Sequence, residues 1–281
     1  MELRRPDSPE VAVRALGDRA IAFAGGTDVV PLLRERILEA DTLVDLRHAV
    51  PKGIRASEPQ TRIGAGTTLG ELEVDPQIPE ALREACRLSA SPQLRATGTI
   101  GGNLLQATRC WYWRLRFPCR LHGGGRCHAR EGEHREHAIF ANDFCASAHP
   151  SDPAAALLAL GATVRTDRRE LPLAELYRLP DEAKRETTTL AGDELIVELD
   201  VPRPDASTYL KAMDRARWSF ALVGVAAARF GGETRTALAG VAPIPWLLHT
   251  LDDAAPLPRN AYKLELARVL VERAHRAVGA P

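Results

Sequence analysis

Four of the five cysteines in this 281-residue chain, Cys110, Cys119, Cys127 and Cys145, follow the pattern C-x8-C-x7-C-x17-C. Four thiolates are the ligand set of a [4Fe–4S] cube, one per iron, and also of a structural zinc ion. Zinc fingers and ribbons bring their ligands in as close C-x2–4-C pairs, and none occurs here. Spacing alone leaves three readings open: cluster, zinc, and loop cysteines that bind nothing. Cys86 sits in the helical pattern PEALREACRL and reads as a small buried apolar side chain. His122, His128, His134 and His137 share the cysteine stretch. They read as a solvated polar surface, with His128 alone, next to Cys127, placed to support or replace a ligand. Trp111, Tyr112, Trp113 and Phe117 are expected to shield whatever the cysteines bind.

Two glycine segments could hold phosphate. Ala24-Gly25-Gly26-Thr27-Asp28 lies between a strand pattern at Ile21–Phe23 and an amphipathic helix through Leu32, Leu33 and Ile37. Glycine there lets a phosphate approach the backbone amides, and Asp28 can cap the helix or bond a ribose. A plain strand-to-helix turn has the same pattern. The second segment, ATGTIGGNLLQ from Ala96, sets Thr99, Gly101, Gly102 and Asn103 in a nearly uncharged run suited to a pyrophosphate. Neither is a P-loop or a G-x-G-x-x-G fingerprint. Two such loops point to a dinucleotide held between two subdomains.

The elements that must position these residues alternate strand and helix. DTLVDL at 41–46 completes a small βαβ unit, and TRIGAG at 61–66 is a strand whose successor Thr68 caps a helix. Residues 79–88 and 154–160 read as helices, and 110–145 as a long loop, which inside a compact domain is usually functional. After 181 the pattern becomes a strand meander closed by a helix over 261–277. The expected fold class is α+β: residues 1–180 with subdomains at about 1–52 and 53–180 and a cysteine loop at 107–149, then a smaller α+β unit at 181–281.

Bulk properties narrow the partners. Lys+Arg and Asp+Glu both number 37, so the chain lacks the basic face that nucleic acid or an anionic membrane would need. No apolar run reaches the length of a membrane-spanning helix, and MELRRPDSPEVAVRAL is not a secretory signal. A cytoplasmic location is expected, with export alongside a signal-bearing partner still open.

Taken in order, AGGTD and TIGGNL resemble the FAD-binding domain of the molybdenum hydroxylase flavoproteins, the fold of xanthine dehydrogenase and carbon monoxide dehydrogenase medium subunits. Further matches are TRIGAGTTL at 61–69, His149-Pro150-Ser151-Asp152, Glu194-Leu195-Ile196, Tyr209-Leu210-Lys211, LAGVAP at 238–243 and Asn260-Ala261-Tyr262-Lys263. The resemblance implies a two-subdomain FAD-binding domain followed by a smaller C-terminal domain. FAD would be contacted by Ala24, Gly25, Gly26, Thr27, Asp28, Thr68, Thr99, Gly101, Gly102, Asn103, Ser151, Asp152, Ile196 and Lys211. It also implies an oxidoreductase subunit without catalytic residues of its own. Its expected partners are a molybdenum–pterin large subunit, a [2Fe–2S] small subunit and an external electron acceptor. A subset of the family, the flavin subunits of aldehyde oxidoreductase and 4-hydroxybenzoyl-CoA reductase, carries an inserted [4Fe–4S] loop. By that resemblance Cys110, Cys119, Cys127 and Cys145 are the cluster ligands. The alternative is a zinc-stabilised assembly module without redox activity. One departure stands out: where many members have an acidic residue after the Lys211 strand, this chain reads Arg217-Trp218-Ser219-Phe220.

Overall fold

The computed structural model describes residues 1–280, with the side chain of Ser57 excepted. β1 (Glu2–Arg4), β2 (Ala20–Phe23) and β3 (Thr42–Asp45) form a parallel sheet in the order β1-β3-β2. The βαβ unit expected at 21–46 is there, its helix Val29–Arg34 lying between β2 and β3. The core of this first unit is small, built from Ala12, Val44, Ala49 and, from far along the chain, Leu195.

The second sheet is antiparallel. It comprises β4 (Ile54–Ser57), β5 (Gln60–Gly64), β6 (Thr163–Thr166), β7 (Glu170–Pro172) and β8 (Ile196–Pro202), in the order β4-β5-β8-β6-β7. β8 is the central strand, bonded to β5 on one side and β6 on the other. A division at 180–181 would therefore cut this sheet, and the change to the third sheet comes after Pro202. Asp200 crosses the ladder from β8 to Arg62 at 2.7 Å and Arg165 at 2.6 Å. Burial opposes ionisation of this carboxyl, but the two guanidiniums hold it below its usual range.

β9 (Ala206–Met213), β10 (Ala221–Phe230), β11 (Glu233–Ala239) and β12 (Trp246–Leu247) make an antiparallel meander in the order β12-β11-β10-β9. The strand period of two sorts β10 onto two cores. Val223, Val225 and Ala227 pack with the C-terminal helix Tyr262–Ala277, whereas Ala226 and Ala228 join the main core with Leu157 and Leu160. The helix Asp152–Leu160 runs through that main core, and all nine of its residues are buried. It is apolar nearly all round, as a core helix must be, and its four alanines let neighbouring elements approach closely.

Between Ala107 and His149 the chain has only short helical turns: Trp111–Arg114, Arg120–His122 and His128–Glu131. This stretch is hydrogen-bonded to the C-terminal unit. The Ile139 and Phe140 amides donate to Val241 O at 2.7 and 2.9 Å, and the His149 amide donates to Ala242 O at 2.8 Å. Among the described residues no helix is long and apolar enough to cross a membrane.

The position of β8 gives a direct test. A chain ending at residue 180 lacks the strand that joins β5 to β6 and leaves the main core open. It is expected to aggregate or to show no cooperative melting transition by circular dichroism; a folded, monomeric fragment would contradict the sheet order.

Candidate cofactor site

The two glycine segments meet. A Cβ built on Gly25 would lie 2.0 Å from the carbonyl oxygen of Thr97, so only glycine allows this backbone-to-backbone approach. Gly98 lies opposite Thr27, with 3.5 Å from a built Cβ to Thr27 Oγ1. Gly25 and Thr27, from the first unit, thus face Thr97 and Gly98, from the second. Loops from two subdomains are brought together as a dinucleotide site needs.

Within the second segment the amides have different partners. Gly101 is buried against Ala65, and its N–H donates to Ala65 O at 3.0 Å. Gly102 is exposed, its N–H donating to Thr99 Oγ1 at 3.2 Å. Thr68 and Thr99 are paired N-caps of adjacent short helices, bridged through their backbones. Thr68 caps its helix as expected, and its hydroxyl does so within a capping box with Glu71. Gly101 and Thr68 therefore shape the cradle by packing and capping, whereas Gly102 and the Thr99 hydroxyl lie closer to its open side.

Asp28 does something the sequence did not show. It stands at the N-cap position of its helix but makes no capping bond. Its carboxylate accepts from the Ala107 amide at 2.7 Å, from Arg114 Nη2 at 2.9 Å and from Arg109 Nη1 at 2.9 Å. Those donors occupy the lone pairs that a ribose would use. Asp28 is thus a strut from the first glycine loop to the start of the cysteine loop, and neither arginine had been singled out.

The other expected contacts form one connected chain. Ser151 Oγ caps its helix by accepting from the Ala154 amide and donates to Asn103 Oδ1 at 2.5 Å. Asp152 accepts from Tyr209 OH at 2.5 Å, Lys211 Nζ at 2.7 Å and Ser89 Oγ at 3.2 Å. Lys211 also donates to Leu88 O at 2.9 Å. Its side chain is 1% exposed and that of Asp152 4%, so the two are committed to each other and do not face open space. Ile196 is buried in the main core, next to Leu195, which packs on the first unit. In the departure region Phe220 lies under the Arg109 guanidinium at 5.4 Å, and Trp218 is exposed.

All four loop cysteines line one small cavity, with Tyr112, Trp113, His128 and Phe144 in its wall. Cys110, Cys119 and Cys127 each stand at the N-cap position of one of the three short turns. Burial pushes the Cys110 thiol up to about 11 and the Cys145 thiol to about 12, while the Trp113 and Tyr112 amides facing Cys110 pull the other way. Cys86 is buried in the main core, far up from its usual range for the same reason. His122 is exposed as expected of a solvated surface, but His134 and His137 are buried, at 5% and 3% exposed, because their rings find partners within the protein. His134 Nδ1 lies 3.0 Å from Ala129 O, and its Nε2 accepts from the Arg259 amide at 3.0 Å.

The family model described as the FAD binding domain in molybdopterin dehydrogenase matches residues 1–204. The chain belongs to this family. It is 35% identical over 278 residues to the aldehyde oxidoreductase FAD-binding subunit PaoB of Escherichia coli, covering 88% of this chain and 87% of that one. It is 37% identical over 110 residues to the carbon monoxide dehydrogenase medium chain of Afipia carboxidovorans, 36% of this chain and 38% of the other. Among solved structures, a carbon monoxide dehydrogenase from Hydrogenophaga pseudoflava superposes with a TM-score of 0.73 at 24% identity, over 99% of this chain and 97% of that one. At that identity the likeness shows the fold, an α+β flavin domain with a C-terminal α+β unit. This molybdopterin dehydrogenase flavin domain is thus an FAD-binding oxidoreductase subunit.

Two outcomes are expected. Gly25→Val should lower retained FAD by about tenfold or more, since a misfit of only ~1.4 kcal/mol gives that factor. Gly17→Ala, with nothing near its built Cβ, should leave FAD unchanged. Flavin absorbance after gel filtration reads both, and full flavin content in Gly25→Val would remove these loops from the FAD site. Second, burial holds His149 down at about 3. The folded state keeps this ring neutral while the unfolded chain binds a proton below 6.5. Its contribution is therefore present above 6.5 and lost as pH falls toward 3. From pH 7 to 5 that amounts to ~2 kcal/mol. Urea titrations at the two pH values should show a correspondingly smaller loss in His149→Phe.

Proposed function

We propose that this chain is the FAD-bearing electron-transfer subunit of a heteromeric molybdenum hydroxylase, and that Cys110, Cys119, Cys127 and Cys145 hold a [4Fe–4S] cluster of its own. The observation that carries the cluster is the single cavity lined by all four sulfurs. Arg120 Nε and His128 Nε2, from residues in the wall of that cavity, are buried without a hydrogen-bond partner. An anionic, sulfide-bearing group gives such nitrogens something to bond. The choice of a cluster over a single zinc follows the resemblance to the cluster-bearing subset of the family and the lack of a close C-x2–4-C pair in the loop.

The chain's own residues bind, bury and orient. Tyr112, Trp113 and Phe144 wall the cysteine cavity against water. Burial raises the Cys110 and Cys145 thiols, and the positive charge of bound iron would supply what is needed to hold them as thiolates. The glycine loops at 24–28 and 97–103 and the Asn103–Ser151 pair seat the FAD. Bound FAD supplies the ability to exchange electrons singly or in pairs, coupling one-electron iron–sulfur groups to a two-electron acceptor. The cluster supplies a one-electron relay beside it.

Substrate chemistry belongs to a partner large subunit with molybdenum–pterin, and a [2Fe–2S] small subunit lies between it and the FAD. Likeness to PaoB over most of both chains favours the aldehyde oxidoreductase type over the xanthine dehydrogenase and aryl-CoA reductase types. The decisive measurement is metal, acid-labile sulfide and flavin analysis of the purified complex. Four irons and four sulfides beyond those of the [2Fe–2S] partner are expected, and Cys119→Ser should lose them while keeping FAD. Zinc in place of iron in the loop would overturn the cluster and leave the assembly-module reading.

A further inference from the structure

His137 is the buried group whose neighbours the flavin and the four cysteines do not explain. Its Nε2 lies 3.2 Å from Cys110 Sγ, and its other ring nitrogen, Nδ1, is buried with no partner. The edge of the ring meets Trp111, with centroids 4.6 Å apart and planes at 87°. Two donor groups grip its backbone neighbourhood. Lys263 Nζ donates to His137 O at 2.8 Å, to Glu136 O at 3.1 Å and to Gly240 O at 2.6 Å. Asn260 Nδ2 donates to His137 O and Ala138 O, both at 3.1 Å. Lys263 and Asn260 are fully buried and come from the C-terminal unit.

We propose that His137 donates an N–H···S hydrogen bond from Nε2 to the Cys110 thiolate, and that Asn260 and Lys263 hold the imidazole in that position. The inference rests on the cluster reading above. A thiolate ligand can only accept, so the ring must be the donor. Of the two ring nitrogens Nε2 has the sulfur as its partner and Nδ1 has none, so the donating N–H is placed at Nε2. A donor to a ligating sulfur offsets the extra negative charge of the reduced cluster and raises its reduction potential. His137 is thus a positioning residue, and the Asn260–Lys263 motif of the C-terminal unit tunes a redox centre carried by a different unit.

The test uses the whole purified complex. The cluster is assigned as the low-temperature EPR signal that Cys119→Ser abolishes. If the wild-type complex has no such signal and no loop iron, the cluster reading itself has failed, and that is known before any His137 variant is compared. His137→Phe is expected to keep its iron and FAD while its midpoint moves negative. The ratio of reduced to oxidised cluster at fixed potential should fall about tenfold, which is about 59 mV for one electron. His137→Gln, which keeps an N–H, should recover at least half of that shift. Loss of iron in His137→Phe with retention in His137→Gln also supports the donor. An unmoved midpoint in His137→Phe overturns the proposal, as does loss of iron from both variants, which would make the ring a packing element.

Discussion

The carboxylate of Asp152 is the junction on which the arrangement of this molecule depends. It begins the helix that fills the main core, and it is the first residue after the cysteine loop whose side chain bonds outside that loop and the glycine segment. Around it meet the end of the 80–87 helix, through Ser89 and Leu88, and β9, through Tyr209 and Lys211. A charge buried this deeply is tolerated only while every oxygen has a donor, and removing one partner of such a pair typically costs ~3–5 kcal/mol. The requirement propagates. Tyr209 must reach inward to donate, and its hydroxyl then lies where a Cβ on Gly224 of β10 would be, 2.1 Å away. Glycine at 224 is thus fixed by the Asp152 carboxylate, and the third sheet is locked to the core helix and the 80–87 helix by polar as well as apolar contacts.

From that junction the cysteine loop can be understood as a segment fastened at its ends and its middle. Asp28 holds its start through Ala107, Arg109 and Arg114. Ser151 and Asp152 hold its end, and Val241, Ala242, Asn260 and Lys263 hold its middle. A stretch with so little regular structure must find partners for its backbone outside itself when buried. Here those partners come from the first unit and the C-terminal unit alike. The first glycine loop and the loop that carries the cysteines share one carboxylate, so the spacing between these two loops is set by Asp28 and two arginines.

How much of this was legible in the sequence follows from the range of each interaction. Periodicity and capping are local, so the β2–β3 unit, the Thr68 cap, the core helix at 152–160 and the C-terminal helix could all be read. The family motifs singled out the two glycine loops, and the structure brings Gly25 against Thr97. The strand β8 was expected as a strand of the C-terminal unit, but it lies in the second sheet. Its partner β5 lies more than a hundred residues upstream, and nothing in ELIVELDV distinguishes a central strand of one sheet from the first strand of the next. Asp28 looked like a cap because caps are local; the arginines that claim it are 81 and 86 residues away. His134 and His137 looked solvated because their neighbours in sequence are charged. Their burial is created by Asn260, Lys263 and Arg259, which no local pattern connects to them.

The anchors of the loop also separate two tasks that small metal domains usually merge. In a zinc finger the ligands and the fold-determining contacts are the same groups, so metal binding is folding. Here none of the fastening bonds just described uses a sulfur: they are carboxylate–guanidinium pairs, an ammonium on three carbonyls and backbone amides on Val241 and Ala242. Three of the four sulfurs, those of Cys110, Cys119 and Cys127, instead stand at the starts of short turns, and the common cavity is shaped by aromatic side chains. A chain built this way can change what the cysteines hold without rebuilding the flavin domain. That is the physical sense in which the cysteine loop is separable from the glycine loops and from the buried Asp152–Lys211 pair.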